Sequence, residues 1–187
     1  MSTYNQAVSF IAILSCDTSK GSGTLTAGKL KGAKGKGGYY GDLDIDRSGD
    51  VCVCNGARDI HIEERFWFGC FNRGEPERYD VRSWAPGKPH HGRRLAVASD
   101  GRLCMAPAAG NSCDWILSWD GQPFQRRHVI EMGGAAYGFA MSHVTAGSLR
   151  HEAPIGVRTG WHGKMHTSNG ELASLQVQIV ETWAAQP

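Results

Sequence analysis

The sequence predicts an all-β domain, and three observations predict it. Apolar residues alternate with polar ones over short stretches, and glycine-containing turn dipeptides recur between those stretches. No run of ten or more residues keeps the three- and four-residue apolar spacing of a helix without Gly or Pro interrupting it. Composition agrees. There are 25 glycines in 187 residues, about 13% against a usual average of roughly 7%. A chain of this length forms one domain, residues 1–187, and buries enough surface to fold without disulfides or metal.

The elements follow in chain order. Ala7 to Leu14 is an apolar run with no basic residue before it and Cys16 and Asp17 soon after; it is too short to span a bilayer and reads as a strand, not as a secretion signal. Residues 20–38 read as a Gly/Lys-rich loop. The next strands are Tyr39 to Asp46 and Asp50 to Cys54. From Ile60 to Phe68, Ile60, Ile62, Phe66 and Phe68 share one parity, broken at Glu64, while Asp59, His61, Glu63 and Arg65 share a wet face. Tyr79 to Trp84, Arg94 to Ala98, Leu103 to Ala106, Trp115 to Trp119, His128 to Met132, Tyr137 to His143, Ile155 to Arg158 and Lys164 to Thr167 continue the series. Leu175, Val177, Ile179 and Trp183 form the last strand, before a loose tail from Ala184 to Pro187.

Three hairpins resemble one another: Leu43 to Cys52, Leu95 to Cys104 and Ile155 to Met165. With Ile45, Val97 and Val157 taken as equivalent, the spacings are 52 and 60 residues. Units of that size cannot each bury a core, which suits a pseudo-threefold β-trefoil. A two-sheet β-sandwich or jelly roll fits the same strand list, and so does a closed barrel.

Charge narrows the function classes. Twenty Lys and Arg against eighteen Asp and Glu leave a formal charge of +2, too balanced for a general nucleic-acid binder. The basic residues concentrate in one place: Lys29, Lys31, Lys34 and Lys36 stand among glycines and suit contact with an acidic partner. Gly23 to Lys29 nearly repeats phosphate-loop spacing, but Leu30 stands where Ser or Thr is required, and the glycines forbid the helix that should follow. The six cysteines contain no CxxC, and the expectation is reduced thiols in a cytoplasmic protein, with Cys52 and Cys54 buried on one strand face.

Chemistry has few anchors. Asp44, Asp46, Ser48 and Asp50 have the alternating spacing of a calcium loop, but position twelve is Asn55 and not Glu, so the set is a weak candidate and no metal is expected. His162 and His166 are four apart, which on a strand separates them by roughly 13 Å. No Gly-x-Ser-x-Gly elbow is present. A small β-barrel enzyme using a His/Glu pair such as His61 with Glu63, or a Cys/His pair, is the alternative to a non-enzymatic role.

Recognition is the better fit. Trp84 precedes Ala85-Pro86-Gly87, and Trp161-His162 lies between Gly160 and Gly163. An indole beside a turn stacks on sugar rings while neighbouring polar groups bond hydroxyls. With His90 and His91, these residues are the candidate ligand contacts. The expectation is a recognition or assembly domain without cofactor: a lectin-like carbohydrate binder, or a structural virion-type subunit such as a decoration or fibre component. Its partners are a glycan or neighbouring subunits in a homo-oligomer, and no segment is read as membrane-inserted.

Overall fold

A computed structural model describes residues 3–30, 45–47, 49–56, 62–72, 76–110, 112–125, 128, 135–157 and 160–187. Twelve strands carry the architecture: β1 (Phe10–Thr18), β2 (Gly21–Thr26), β3 (Cys52–Gly56), β4 (Arg65–Asn72), β5 (Arg78–Trp84), β6 (Arg94–Val97), β7 (Leu103–Ala106), β8 (Trp115–Trp119), β9 (Ala135–His143), β10 (Arg150–His151), β11 (Gly160–His166) and β12 (Ser174–Thr182). The fold is all-β, as the alternation predicts. Most expected strands are present to within one or two residues. Of the expected strands at 39–46 and 128–132, only residues 45, 46 and 128 are described.

Six strands close a barrel. β1 pairs with β4, β4 with β5, β5 with β8, β8 with β9, β9 with β12, and β12 returns to β1, each pair antiparallel. Closure leaves the barrel without an open edge. Alternate residues point inward: Phe10, Ala12 and Leu14 of β1, Phe66 and Phe68 of β4, Tyr79 and Val81 of β5, Trp115 and Leu117 of β8, Phe139 and Met141 of β9, Leu175 and Val177 of β12. Burying each large side chain is worth about 1.5–3 kcal/mol. Phe10 stacks on Phe68 at 4.7 Å between centroids, and Phe124 packs on Phe10, Tyr79 and Phe139.

The other strands form outer hairpins, one inserted in each third of the barrel: β2–β3, β6–β7 and β10–β11. The registers Thr26↔Cys52, Ala96↔Cys104 and Arg150↔His166 make Cys52, Cys104 and His166 equivalent. The residues before them, Val51, Leu103 and Met165, are buried and meet one another. Val51 donates its N–H to the Leu103 carbonyl and Met165 donates to the Val51 carbonyl, both at 3.0 Å. One position earlier, Asp50 meets Arg102 at 3.2 Å and Lys164 at 3.9 Å.

This registration corrects both the equivalence drawn from sequence and the first expected hairpin, Leu43 to Cys52: Ile45–Asp46 pairs with Lys29–Leu30, while Cys52 pairs with Thr26 and Lys164. Val97 and His151 are the matching residues, opposite Leu103 and Met165. Ile45 and Val157 lie on the outer strands Ile45–Asp46 and Ile155–Val157, packed against Cys52 and Cys54. The second hairpin turns tightly, with Ala98 donating to the Arg102 carbonyl, while the first and third carry inserted chain at the same place.

Three further expectations change. Gly21–Thr26 is a strand and not the opening of a loop, because Ser15, Cys16, Asp17 and Thr18 give it a ladder to join. β4 has no wet face over its central residues: Trp67, between Phe66 and Phe68, is fully buried against Ile11, Phe71, Cys113 and Ala184. Ala184 is not part of a loose tail. It is buried, donates to the Ser9 carbonyl at 3.2 Å and accepts from the Tyr4 hydroxyl, so the two ends of the chain clasp.

Candidate functional site

Where each hairpin leaves the barrel, one barrel residue faces one hairpin residue. Registration makes three such pairs equivalent: Ser15↔Thr24, Arg82↔Arg94 and Ser142↔Ser148.

The second place is filled. Asp80 is fully buried and accepts from Arg82 Nε at 3.0 Å and Nη2 at 2.7 Å, from Arg94 Nε at 3.0 Å, and from Arg94 Nη2 at 3.2 Å. Both guanidinium groups also donate to the Gly110 carbonyl, at 3.0 and 2.6 Å. Arg82 lies 5.4 Å from the centre of the Trp67 ring. Two cations share one buried carboxylate, an arrangement that holds only while every partner stays in place. At the third place, Ser142 and Ser148 hydroxyls meet at 3.2 Å on the surface.

The first place is open. Small polar residues there leave a cleft of about 130 Å³ lined by Ser15, Ser22, Gly23, Thr24, Cys54, Asn55, Gly56 and Ile62. Asn55 Nδ2 donates to the Ser22 carbonyl at 2.6 Å, which fixes its amide at the wall. Gly23 is required, because a Cβ there would stand 2.7 Å from the Trp161 ring and 2.8 Å from the Cys54 carbonyl. Hydroxyls, an amide and backbone groups line this concave surface and offer hydrogen-bond donors and acceptors.

The residues singled out from sequence fall in two groups. Trp84 ends β5, packs on the Trp67 cluster and meets His91 edge to face at 5.2 Å. His91 Nδ1 accepts from the Ala85 N–H at 3.1 Å, and the His90 carbonyl accepts from the Ser83 hydroxyl, so both histidines pin their own turn. His90 Nε2 lies 3.6 Å from Glu64, whose buried carboxylate also accepts from Arg47 at 2.7 Å. Burial first, then Arg47, holds the His90 imidazole below its ordinary range.

Trp161 and His162 lie on β11, on opposite faces by strand alternation. Trp161 is half-buried, crosses Gly23 and packs on the main core; it backs the strands of the cleft and does not line it. His162 faces outward beside Cys54, its cross-strand partner, and its buried Nδ1 has no hydrogen-bond partner. Among the described residues no hydrogen bond, ion pair or ring contact joins the Trp84 group to the Trp161 group.

The remaining candidates divide likewise. Lys29 pairs with Asp46 across the short strands Lys29–Leu30 and Ile45–Asp46. Lys31, Lys34, Lys36, Asp44, Ser48 and His61 lie outside the described residues. Asp50 is engaged by Arg102 and Lys164, and its carboxylate serves ion pairing at the meeting of the hairpins. Glu63 pairs with Arg65 on the surface. His166 Nε2 lies 2.9 Å from Glu152, off the line of a hydrogen bond.

The thiols are not poised for nucleophilic work. Cys52 and Cys54 are buried on one face, as the spacing predicts, with Leu30 and Ile62 over them. Burial raises the Cys52 and Cys54 thiols, and Thr26 Oγ1 donates to Cys54 Sγ at 3.1 Å. Burial likewise pushes Cys16 and Cys70 up to about 12.

Ser15, Ser22, Thr24 and Asn55 escape a sequence reading because none carries chemistry alone and three strands must pair to assemble them. With the site's geometry fixed, comparison with known proteins adds no assignment. No protein-family model, no curated protein and no solved structure matches this chain. No helix among the described residues is long and apolar enough to cross a membrane.

Proposed function

We propose that this chain is a β-trefoil recognition domain, without catalytic activity of its own, whose first unit binds a carbohydrate. Support for the architecture comes from the pairing order: a closed six-stranded barrel, three outer hairpins, and three hydrogen-bonded strands meeting at Val51, Leu103 and Met165. That order favours the trefoil over a sandwich or jelly roll.

The observation that carries the binding reading is the inequivalence of three equivalent places. Arg82 and Arg94 plug the second with their own charge cluster, whereas Ser15 and Thr24 leave the first as a polar cleft. A core-stabilising role would favour filling that space. Hydroxyl and amide groups in a shallow cleft match sugar hydroxyls, and Trp161 contributes rigidity from behind and not a stacking platform.

A glycan array with wild-type protein and Thr24→Leu, run with light-scattering mass at two concentrations, tests the reading. The expected result is a monomer or small oligomer that selects one glycan family and loses it in Thr24→Leu. A second reading, a structural virion-type subunit, draws on the outer strand Ile155–Val157, which pairs only with β11 among the described residues and presents Ile155 59% exposed. A large, concentration-independent assembly with an empty array would support that reading and refute the carbohydrate one.

A further inference from the structure

The outer face of β2, β3 and β11 carries the cleft at one side and positive charge at the other. The register sets two rows across these strands: Thr24, Cys54 and His162, then Thr26, Cys52 and Lys164. Directly opposed residues on neighbouring strands stand about 5 Å apart at Cβ, so His162 follows the cleft wall, and Lys164, two residues further along the same strand, shares its face. The short strand Lys29–Leu30 packs over β11 and brings Lys29 to the same face. Lys20 reaches within 3.3 Å of the space beside Gly156, on the strand that pairs with β11.

We propose that His162 and Lys164 form an anion subsite beside the cleft, so that the saccharide taken there carries a sulfate, phosphate or carboxylate group. The inference rests on the carbohydrate reading of the cleft. Two observations carry it. His162 has a buried ring nitrogen with no protein partner, directly across from a cleft-lining residue. Among the described residues Lys164 has one ion pair, with Asp50 at 3.9 Å, and that carboxylate is shared with Arg102 at 3.2 Å, so the ammonium is only loosely engaged there. Electrostatics agree: burial first, then Lys29 and Lys164, hold the His162 imidazole below its ordinary range. An arriving oxyanion offsets the lysine part of that effect and accepts from the Lys164 ammonium.

The test uses the whole protein in two arms. In the first, sodium sulfate is titrated while the His162 imidazole is followed by NMR; the expected result is a rise in the His162 pKa that Lys164→Gln abolishes. In the second, immobilised sulfated, sialylated and neutral glycans are presented to wild type, Lys164→Gln and Thr24→Leu. Losing one charge-assisted contact predicts roughly tenfold weaker binding of acidic glycans by Lys164→Gln. No His162 response to sulfate overturns the subsite, as does acidic-glycan binding unchanged in Lys164→Gln. Neutral glycans bound by wild type as tightly as their acidic counterparts also overturn it and leave the cleft reading standing. Acidic binding lost in Lys164→Gln but intact in Thr24→Leu overturns the cleft and keeps the anion contact.

Discussion

Replacing Asp80 by Asn probes the second unit most sharply. The substitution keeps shape and removes the carboxylate shared by Arg82 and Arg94, whose side chains are 8% and 14% exposed while that of Asp80 is fully buried. Four charge-assisted contacts between 2.7 and 3.2 Å lose their charge, and the new amide turns donors toward donors. Breaking a buried pair by removing one partner costs about 3–5 kcal/mol, because the remaining charge stays desolvated. Arg82 is held in place by the Trp67 ring and the Gly110 carbonyl, so it cannot swing fully to water. In a domain of this size the loss lowers Tm on the order of 10 °C. Urea unfolding at neutral pH measures it as a lower midpoint at unchanged m. Arg94→Met in the Asp80→Asn background should recover part of the loss, since it removes one orphaned cation. A loss below about 1 kcal/mol would refute the reasoning and make the cluster no more than a surface network.

Other predictions follow from the same geometry. Trp161→Ala should destabilise by about 1.5–3 kcal/mol through lost packing on the core, read by urea unfolding, while glycan selection on an array persists; abolished selection with unchanged stability would return Trp161 to the role of a sugar platform. His90, His143 and His162 are all held below the ordinary imidazole value of 6.5, by burial first in each case. The unfolded chain then takes up protons before the folded one does. Their contribution to stability is full above 6.5 and falls as pH drops through the window beneath it, so the urea midpoint should decline across that window. A midpoint that rises on acidification there contradicts the sign. Among the cysteines only Cys104 is half-buried, and a thiol reagent should label it alone in native protein and reach the other five after unfolding; rapid native labelling of Cys52 or Cys54 would contradict their burial.

Fold class was legible because alternation at Leu175, Val177 and the strands before them is a local consequence of one buried face. Of the three hairpins read from the sequence, Leu95 to Cys104 and Ile155 to Met165 are antiparallel pairs, whereas Ile45–Asp46 pairs with Lys29–Leu30 and Cys52 pairs with Thr26, a long-range exchange that local alternation does not reveal. The registration of the three units was not legible, since chain inserted before Val51 and before Met165 displaces the match and only strand pairing reveals it. β2 was hidden by its glycines: Gly23 has no side chain to signal a strand, yet its lack of Cβ is what admits the Trp161 ring. Ala184 looked like tail because alanine is too small to advertise burial, and its partners Tyr4 and Ser9 are at the other end of the chain.

The candidate site divided along similar lines. Histidines and tryptophans attract attention in a sequence, but Trp84 and His91 pack on each other and Trp161 lies behind the cleft. Ser15 and Thr24 gain meaning only beside Arg82 and Arg94. Asp80 and Arg82 did leave a trace, two opposite charges on one face of the strand Tyr79-Asp80-Val81-Arg82, a pattern that calls for a buried partner set.

The most direct test of the central claim is backbone amide shift mapping with the glycan that an array selects. The account predicts perturbations at Ser15, Ser22, Thr24 and Asn55, abolished in Thr24→Leu. Perturbations confined to other exposed surfaces, such as Tyr137 or Trp183, or an array that selects nothing, would contradict it.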